Sequence, residues 1–267
     1  MILDEILAAK AREVARRRAA RPLAALEAAL ADAPSHRPFA AALRAPGLSV
    51  IAEIKRRSPS GGELRPGASA ADLARNYADH GAAALSVLTD TPYFGGTDQD
   101  LVDARAATAL PALRKDFVVD PYQLYEARVL GADAILLIVR ALGPAELARL
   151  YRLATELGLE VLVETHSADE VRRAVDVGAT VVGVNNRDLD RLVTDPSLAL
   201  RLRDLVPGDR VYVAESGVSQ PDQLRALASA GAAAVLIGEA LVSAPDPGAR
   251  LRSLLEAVSV PSAGAAT

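Results

Sequence analysis

Short apolar segments, each about as long as one strand, alternate with amphipathic helical segments along most of the chain. Four of the apolar segments follow Gly-Ala pairs that begin at Gly81, Gly131, Gly178 and Gly231. Four more strands are predicted between them, at residues 49–54, 109–114, 160–164 and 211–215. Strands that alternate with helices pair in parallel. The pattern therefore predicts an α/β fold, and eight such units close naturally into a (βα)8 TIM barrel.

The four Gly-Ala pairs are separated by 50, 47 and 53 residues, which is the length of two strand-helix units. An amphipathic stretch precedes each glycine, so each glycine is predicted to end a helix and lead directly into a strand. A doubly wound sheet is the alternative fold. The chain has neither a G-x-G-x-x-G motif after its first strand nor a Walker A motif, and this favours the barrel.

The chain has 267 residues, close to the ~250 typical of one barrel, so we expect a single domain over residues 1–260. Residues 1–47 are predicted to form a helical extension, with helices near 3–18 and 23–31, and residues 48–260 the barrel. Residues 261–267 are expected to be a flexible tail. A basic run ends the first helix at Arg16, Arg17, Arg18 and Arg21. We interpret it as a solvated helix end in preference to a polyanion site.

Composition excludes several functions. The net charge is −4 and the isoelectric point is near 5.5, which predicts no affinity for nucleic acid or for anionic membranes. The absence of cysteine excludes disulfides, thiolate metal sites and cysteine nucleophiles, and three histidines argue against a histidine metal cluster. Asp4 and Glu5 interrupt the apolar N-terminus, and no apolar run has the ~20 residues of a membrane span. A soluble, cytoplasmic protein is expected.

Polar side chains stand at the C-terminal ends of five of the predicted strands. They are Glu53, Lys55, Lys115, Glu164, Asn185, Arg187, Glu215 and Ser216. Because positions i and i+2 of a strand share a face, the apolar partners of these residues are predicted to fill the barrel and the polar groups to meet at one mouth. Barrel active sites are built at this end of the strands.

A network of ion pairs that only stabilises the rim is the alternative explanation, and for a single pair we would prefer it. For the whole set of polar strand ends, a purely stabilising network is a poor explanation. Several partly buried charges cost more than apolar residues would, unless a ligand or a reaction requires them.

Three further features surround the predicted mouth. Ser216 and Gly217 after the seventh strand, and Gly238 and Glu239 after the eighth, lie in glycine-containing loops where barrels often bind phosphate. The polar loop after the first strand, which contains Ser58 and Pro59, is either a mobile lid or an ordinary flexible loop. Phe94 and Phe117 suggest a flat apolar ligand, although as core residues they would need no explanation.

Six segments, in this order and at these spacings, resemble the indole-3-glycerol phosphate synthase family of tryptophan biosynthesis. They are VIAEIKRRSPSGG, LRKDFVVDPYQ, the strand end at Glu164, VGVNNRDL, VAESGV and LIGEAL. The resemblance covers nearly the whole chain. It implies conversion of 1-(2-carboxyphenylamino)-1-deoxyribulose 5-phosphate to indole-3-glycerol phosphate, with loss of CO2 and water and with no metal or organic cofactor. A monomer is expected. Other enzymes of the tryptophan pathway are the protein partners that it would contact.

The resemblance also implies roles for the residues at the mouth. Lys115 would be the general acid for ring closure, with its pKa lowered by Lys55 and Arg187 nearby, and Glu164 would be the general base. Lys55 would be an anion partner or second acid, oriented by Glu53.

The remaining residues at the mouth would hold the substrate. Asn185 and Arg187 would bind the substrate carboxylate or an intermediate, and Glu215 would bind sugar hydroxyls. The phosphate would contact Ser216, Gly217 and Gly238, and Glu239 would be a further substrate-binding residue. The anthranilate ring would lie between Phe94 and Phe117, with Ser58 and Pro59 on the closing loop. Asn186 and Glu239 occupy positions where the family often has small hydroxyl residues.

Two other functions are considered. Phosphoribosylanthranilate isomerase is another phosphosugar-binding TIM-barrel enzyme, but it is expected to use a cysteine base, and this chain has no cysteine. A non-catalytic protein that binds a phosphorylated ligand would not need Lys115 and Glu164 together.

Overall fold

Eight parallel strands form a closed barrel in the computed structural model, which describes residues 2–59, 61–188 and 190–259. Each strand pairs with the next one along the chain, and the last pairs with the first. The strands are β1 (Ser49–Ile54), β2 (Ala84–Leu88), β3 (Ala112–Lys115), β4 (Ala134–Ile138), β5 (Glu160–Thr165), β6 (Val181–Asn185), β7 (Val211–Glu215) and β8 (Ala234–Ile237). The predicted TIM barrel is confirmed.

Helices precede the barrel and connect its strands. They are α1 (Ile2–Ala20), α2 (Leu23–Ala29), α3 (Phe39–Ala42), α4 (Ala70–Asp79), α5 (Thr91–Phe94), α6 (Asp98–Ala107), α7 (Tyr122–Val129), α8 (Pro144–Glu156), α9 (Ala168–Asp176), α10 (Leu198–Leu202), α11 (Pro221–Ser229), α12 (Glu239–Val242) and α13 (Pro247–Ser259). Short 3-10 turns occupy Leu30–Asp32, Val139–Ala141 and Arg203–Leu205. No helix in the described ranges is long and apolar enough to cross a membrane. The division into extension and barrel stays a prediction, and the expected tail at residues 261–267 lies outside the described residues.

The barrel strands bury both faces, as strands covered by helices must. One face contributes Ile51, Leu113, Leu162, Val181 and Val213 to the cluster inside the barrel. Their sequence neighbours belong to a second cluster between the strands and the helices. The predicted alternation of inward and outward positions is therefore confirmed.

The four repeated glycines adopt the backbone conformation expected of residues that follow a helix. Their φ angles lie between +82° and +94°, the left-handed region that favours glycine. At Gly81, for example, the next amide donates to the Tyr77 carbonyl and closes the end of α4 at a distance of 3.0 Å.

One predicted strand began too early. Residues 109–114 were predicted to form the third strand, but β3 spans Ala112–Lys115. Pro111 precedes it and has no N–H to donate to a ladder, so the strand begins at the next residue.

Helix α3 closes the N-terminal end of the barrel. Its Phe39 and Leu43 are fully buried in the cluster inside the barrel. The amides of Phe39 and Ala40 donate to the Glu160 carboxylate at 2.9 and 2.7 Å. An anion at a helix N-terminus is stabilised by the unpaired amides and the helix dipole.

Asp133, immediately before β4, ties the chain ahead of α3 to the barrel. Its fully buried carboxylate accepts hydrogen bonds from the amides of Arg37 and Ala112 at 2.8 and 2.9 Å, and it pairs with Arg105 at 3.1 Å. One carboxylate therefore joins the extension, β3 and α6.

Helix α1 packs across the opposite end of the barrel. Its basic run is only partly solvated, because Arg17 pairs with Asp98 and Glu126, and Arg18 pairs with Asp120. These two arginines attach α1 to the barrel.

Asp133→Ala should lower the free energy of unfolding by about 3–5 kcal/mol, because it leaves Arg105 and two backbone amides without their shared acceptor. Urea unfolding followed by circular dichroism measures this loss. Asp209→Ala is the control, since Asp209 is mostly exposed and lies 3.4 Å from Arg210. It should change stability by less than about 0.5 kcal/mol. Equal effects of the two substitutions would contradict the structural role of Asp133.

Candidate active site

A cavity of about 480 Å³ opens at the C-terminal ends of the strands. Every site residue expected from the sequence lines it. These residues are Glu53, Lys55, Ser58, Pro59, Phe94, Lys115, Phe117, Glu164, Asn185, Arg187, Glu215, Ser216, Gly217, Gly238 and Glu239. They come from seven of the eight strand ends, so only the closed barrel brings them together.

Lys115, the last residue of β3, lies at the centre of the polar part of the cavity. Its Nζ is 2.8 Å from Glu164 Oε2 and 2.7 Å from Glu215 Oε2. Both carboxylates are almost fully buried. Burial lowers the pKa of Lys115, but Glu164 and Glu215 outweigh it and hold that pKa above its usual value. The expected lowering of the Lys115 pKa by Lys55 and Arg187 is therefore wrong.

Glu164 is surrounded by hydrogen-bond donors and positive charge. Besides Lys115, the Asn185 side chain donates to its Oε1 at 3.1 Å, and His166 Nε2 lies 3.3 Å from the same oxygen. Burial raises the pKa of Glu164, but Lys115 and His166 together hold it well below its ordinary range. Glu164 is thus ionised at neutral pH.

Glu215 is in the opposite situation. Burial raises its pKa, Lys115 lowers it and the negative charge of Glu164 raises it again, so that the pKa of Glu215 lies at about 7. An added Cβ at Gly183 on β6 would lie 2.2 Å from Glu215 Oε1, so glycine is needed there to leave room for the carboxylate. Two carboxylates beside one lysine with separated pKa values are typical of an acid-base site.

Lys55 and Glu53 form a second ion pair on the adjoining wall, with Nζ 2.8 Å from Glu53 Oε1. Gly238 lies directly against this pair, because an added Cβ there would be 2.2 Å from Glu53 Oε1 and 3.0 Å from Lys55 Nζ. A side chain at Gly238 would therefore disturb this ion pair.

The loops after β6, β7 and β8 meet at one end of the cavity. Ser216 and Gly217 both have positive φ, +62° and +71°, which turns the chain sharply after β7. The Asn186 side chain donates to the Ser216 carbonyl at 2.9 Å and accepts from the Ala199 amide at 2.9 Å. The unusual Asn186 therefore fixes the loop after β7.

Arg187 connects the same loops on the cavity side. Its Nε is 3.3 Å from Thr194 Oγ1, and its guanidinium is 3.5 Å from the Glu239 carboxylate. Arg187 therefore places a cation between the loops after β6 and β8.

The opposite end of the cavity is apolar. The rings of Phe94 and Phe117 have their centroids 6.2 Å apart and are inclined by 36°. Beside them the loop after β1 forms a small antiparallel hairpin, in which Arg57–Ser58 pairs with Gly62–Glu63. The Gly61 amide donates to Ser58 Oγ at 3.0 Å and tightens this turn.

Sequence reasoning missed several residues of this site. Ile2, Leu3 and Ile6 of α1 line the cavity, although the extension was not assigned to the site. His166 was also missed. It lies two residues after Glu164, and Glu170, four residues further along, contacts its Nδ1 at 3.3 Å. The strand-end position of His166 and its spacing to Glu170 were visible signals.

Within the described ranges, no group of three or more His, Cys, Asp or Glu side chains is arranged to hold a metal ion. The cavity contains the Lys115 ammonium between two buried carboxylates, and the Lys55–Glu53 ion pair on the adjoining wall. One end of the cavity is apolar and the other is cationic. This arrangement suits proton transfer on an anionic, partly aromatic ligand.

Comparisons with known proteins agree with this chemistry. The family model described as indole-3-glycerol phosphate synthase matches residues 3–254. The chain belongs to that family. It is 52% identical over 254 residues to indole-3-glycerol phosphate synthase 2 of Streptomyces coelicolor, an alignment that covers 95% of this chain and 98% of the relative. It is therefore an enzyme, a carboxy-lyase of tryptophan biosynthesis.

Solved structures of low sequence identity share the fold alone. Thiamine phosphate pyrophosphorylase from Pyrococcus furiosus is 18% identical, with a TM-score of 0.60 over 79% of this chain and 95% of its own. A native KDPGal structure is 22% identical, with a TM-score of 0.54 over 79% of this chain and 92% of its own.

His166 should titrate well above an ordinary histidine. Burial lowers its pKa, but Glu164 and Glu170 outweigh burial and raise it to about 9. Its charge should therefore stabilise the fold fully below about pH 6.5, by about 3 kcal/mol, and this contribution should be lost as the pH rises through about 9. NMR titration measures the pKa, with His166→Gln identifying the resonance. A midpoint near 6.5 would contradict the contact with Glu164.

Proposed function

We propose that the cluster around Lys115 carries out the ring closure, decarboxylation and dehydration of 1-(2-carboxyphenylamino)-1-deoxyribulose 5-phosphate. The main support is the contact of one ammonium with two buried carboxylates whose pKa values are shifted in opposite directions. The cavity provides an apolar end for the aromatic ring and a cationic end for the anionic groups. Both are needed for this substrate.

In the first step, the ring carbon that bears the carboxylate attacks the ketone, and a C–C bond forms. The ketone oxygen takes a proton from the Lys115 ammonium and becomes a hydroxyl. Glu164 and Glu215 keep Lys115 charged until then, and the developing alkoxide is basic enough to take its proton. Loss of CO2 then leaves its electron pair in the ring and restores aromaticity.

In the last step, the new hydroxyl leaves as water with a proton from a second acid, for which Lys55 is placed. Glu53 orients Lys55 through the 2.8 Å contact. Glu164 takes the proton from the carbon next to nitrogen, and the second double bond of the indole forms. Two protons are donated and one is returned, which matches the loss of one carboxylate as neutral CO2.

The other residues of the cavity hold the substrate in this proposal. Asn185 and Arg187 bind the carboxylate, and Glu215 binds sugar hydroxyls. Phe94 and Phe117 enclose the anthranilate ring, and the turn at Ser58 and Pro59 covers it.

The phosphate is assigned to the loops after β7 and β8, at Ser216, Gly217 and Gly238, with Glu239 beside them as a further substrate-binding residue. Two observations support this assignment. The backbone turns sharply at Ser216 and Gly217, and Arg187 supplies a cation beside them. Barrels commonly bind phosphate at this place.

A monomer in the cytoplasm, without nucleic-acid partners, is part of the proposal, as is contact with other enzymes of the tryptophan pathway. The net charge of −4 supports the exclusion of nucleic acid. A non-catalytic role as a ligand binder is not favoured, since binding alone does not explain three buried charged groups at the cavity base.

Lys115→Ala should lower kcat by ~10² to 10⁴, the usual contribution of a general acid, and should change KM much less. Indole fluorescence after addition of the substrate measures turnover directly, because the chain contains no tryptophan. A kcat near the wild-type value would show that Lys115 only stabilises the rim.

Glu164→Gln should abolish most turnover while the fold survives, because glutamine keeps the size of the side chain and one acceptor oxygen but cannot take a proton. The same fluorescence assay, with thermal melting in parallel, measures both properties. Normal activity together with a large loss of stability would assign Glu164 a structural role instead.

A further inference from the structure

Lys10 of α1 is a buried charge that the reaction described above does not use. Its side chain is 2% exposed, and its Nζ lies within ion-pair distance of three carboxylates. Glu13 of the same helix is 2.9 Å away, Asp116 after β3 is 2.9 Å away, and Asp90 after β2 is 3.0 Å away. Burial lowers the pKa of Lys10, but Asp116 and Asp90 outweigh it and raise that pKa above its usual value. Lys10 is therefore charged at neutral pH.

Asp116 links Lys10 to two residues of the active site. It stands between Lys115 and Phe117, and its Oδ1 accepts a hydrogen bond from the Phe117 amide at 2.8 Å. Its Oδ2 accepts from the hydroxyl of Thr89 at 2.7 Å. The orientation of this short segment therefore depends on the Asp116 carboxylate.

Asp90 links Lys10 to the other side of the cavity. It caps α5, because its Oδ1 accepts from the Tyr93 amide at 2.8 Å, and Phe94 is the last residue of that helix. The side chains of Asp90 and Asp116 are each 1% exposed. Arg114 also lies 3.5 Å from Asp116 Oδ2, but the Lys10 ammonium contacts both carboxylates, and without it their mutual repulsion would be less compensated.

We propose that Lys10 is a positioning residue for the reaction, which holds the Phe94 helix and the Lys115–Phe117 segment at the separation that the substrate requires. This inference rests on the proposed roles of Lys115, Phe94 and Phe117. It assigns α1 a part in catalysis through its charge, although Lys10 itself does not line the cavity.

Lys10→Met tests the proposal, since methionine preserves the length of the side chain and removes the charge. Arg18→Met is the control on the same helix. It removes the contacts of α1 with the Asp120 carboxylate and the Tyr122 ring, and neither of these residues lines the cavity or pairs with Lys10. Both variants are assayed by indole fluorescence well below their melting temperatures, with circular dichroism to show that each is folded.

Lys10→Met should lower kcat/KM at least tenfold, with both a lower kcat and a higher KM, whereas Arg18→Met should stay within about twofold of wild type. Adding Asp90→Asn to Lys10→Met should restore part of the loss, because the amide removes the repulsion and keeps the oxygen that caps α5. Normal kinetics of folded Lys10→Met, equal losses in the two single variants, or no recovery in the double variant would overturn the proposal.

Asp90→Asn alone gives a second test if Lys10→Met does not fold. It removes the ion pair of Lys10 with Asp90 but keeps the one with Asp116. It should lower kcat/KM severalfold with little change in melting temperature. Unchanged kinetics would overturn the proposal. Normal activity of Lys115→Ala would instead contradict the proposed function, so the two failures are distinguishable.

Discussion

The contact of the Lys115 ammonium with Glu164 and Glu215 is the interaction on which the rest of the cavity depends. Three charged groups from β3, β5 and β7 meet below the mouth, and all three are largely removed from water. Burying a charge costs several kcal/mol unless partners compensate it, so the cluster is stable only as a unit. Its geometry requires a closed barrel, because an open sheet could not bring alternate strands to one point.

Two carboxylates and one ammonium together carry an excess of negative charge when both carboxylates are ionised. The surrounding residues determine which of the two carboxylates is ionised more readily. Glu164 receives Asn185 and His166 in addition to Lys115, whereas Glu215 lies against the backbone at Gly183. The ionised form is therefore favoured more strongly at Glu164 than at Glu215. In this way His166, which has no role in the proposed steps, helps to keep the proposed base Glu164 ionised.

Much of the fold and the mouth could be predicted because both follow from short-range rules. Alternation at period two placed Ile51 inside the barrel and Glu53 and Lys55 above it. Pro111 shows the limit of this reasoning, since the apolar pattern began before the residue that could not join a ladder.

The missed contacts depend on long-range geometry. Lys10 meets Asp90 and Asp116 across about 80 and 106 positions of sequence, and the amphipathic pattern of α1 predicts a helix but not which barrel end it covers. The same holds for Asp133 and Arg37. Charge pairing between distant segments follows from the closed fold and is not encoded locally. The predicted roles of the site residues depend on the family resemblance in the same way, since spacing alone placed them together without assigning acid or base.

The extension can be understood as part of the barrel. The first residues of β2, β4 and β8 are the inward-facing alanines Ala84, Ala134 and Ala234, which leave space at the N-terminal end of the barrel. Phe39 and Leu43 of the extension fill this space and are fully buried. At the other end Leu3 and Ile6 of α1 cover the apolar side of the cavity. Without the extension, the small residues at one end of the barrel and the charged cluster at the other end would both be exposed to water. The extension and the barrel interior therefore form one hydrophobic core.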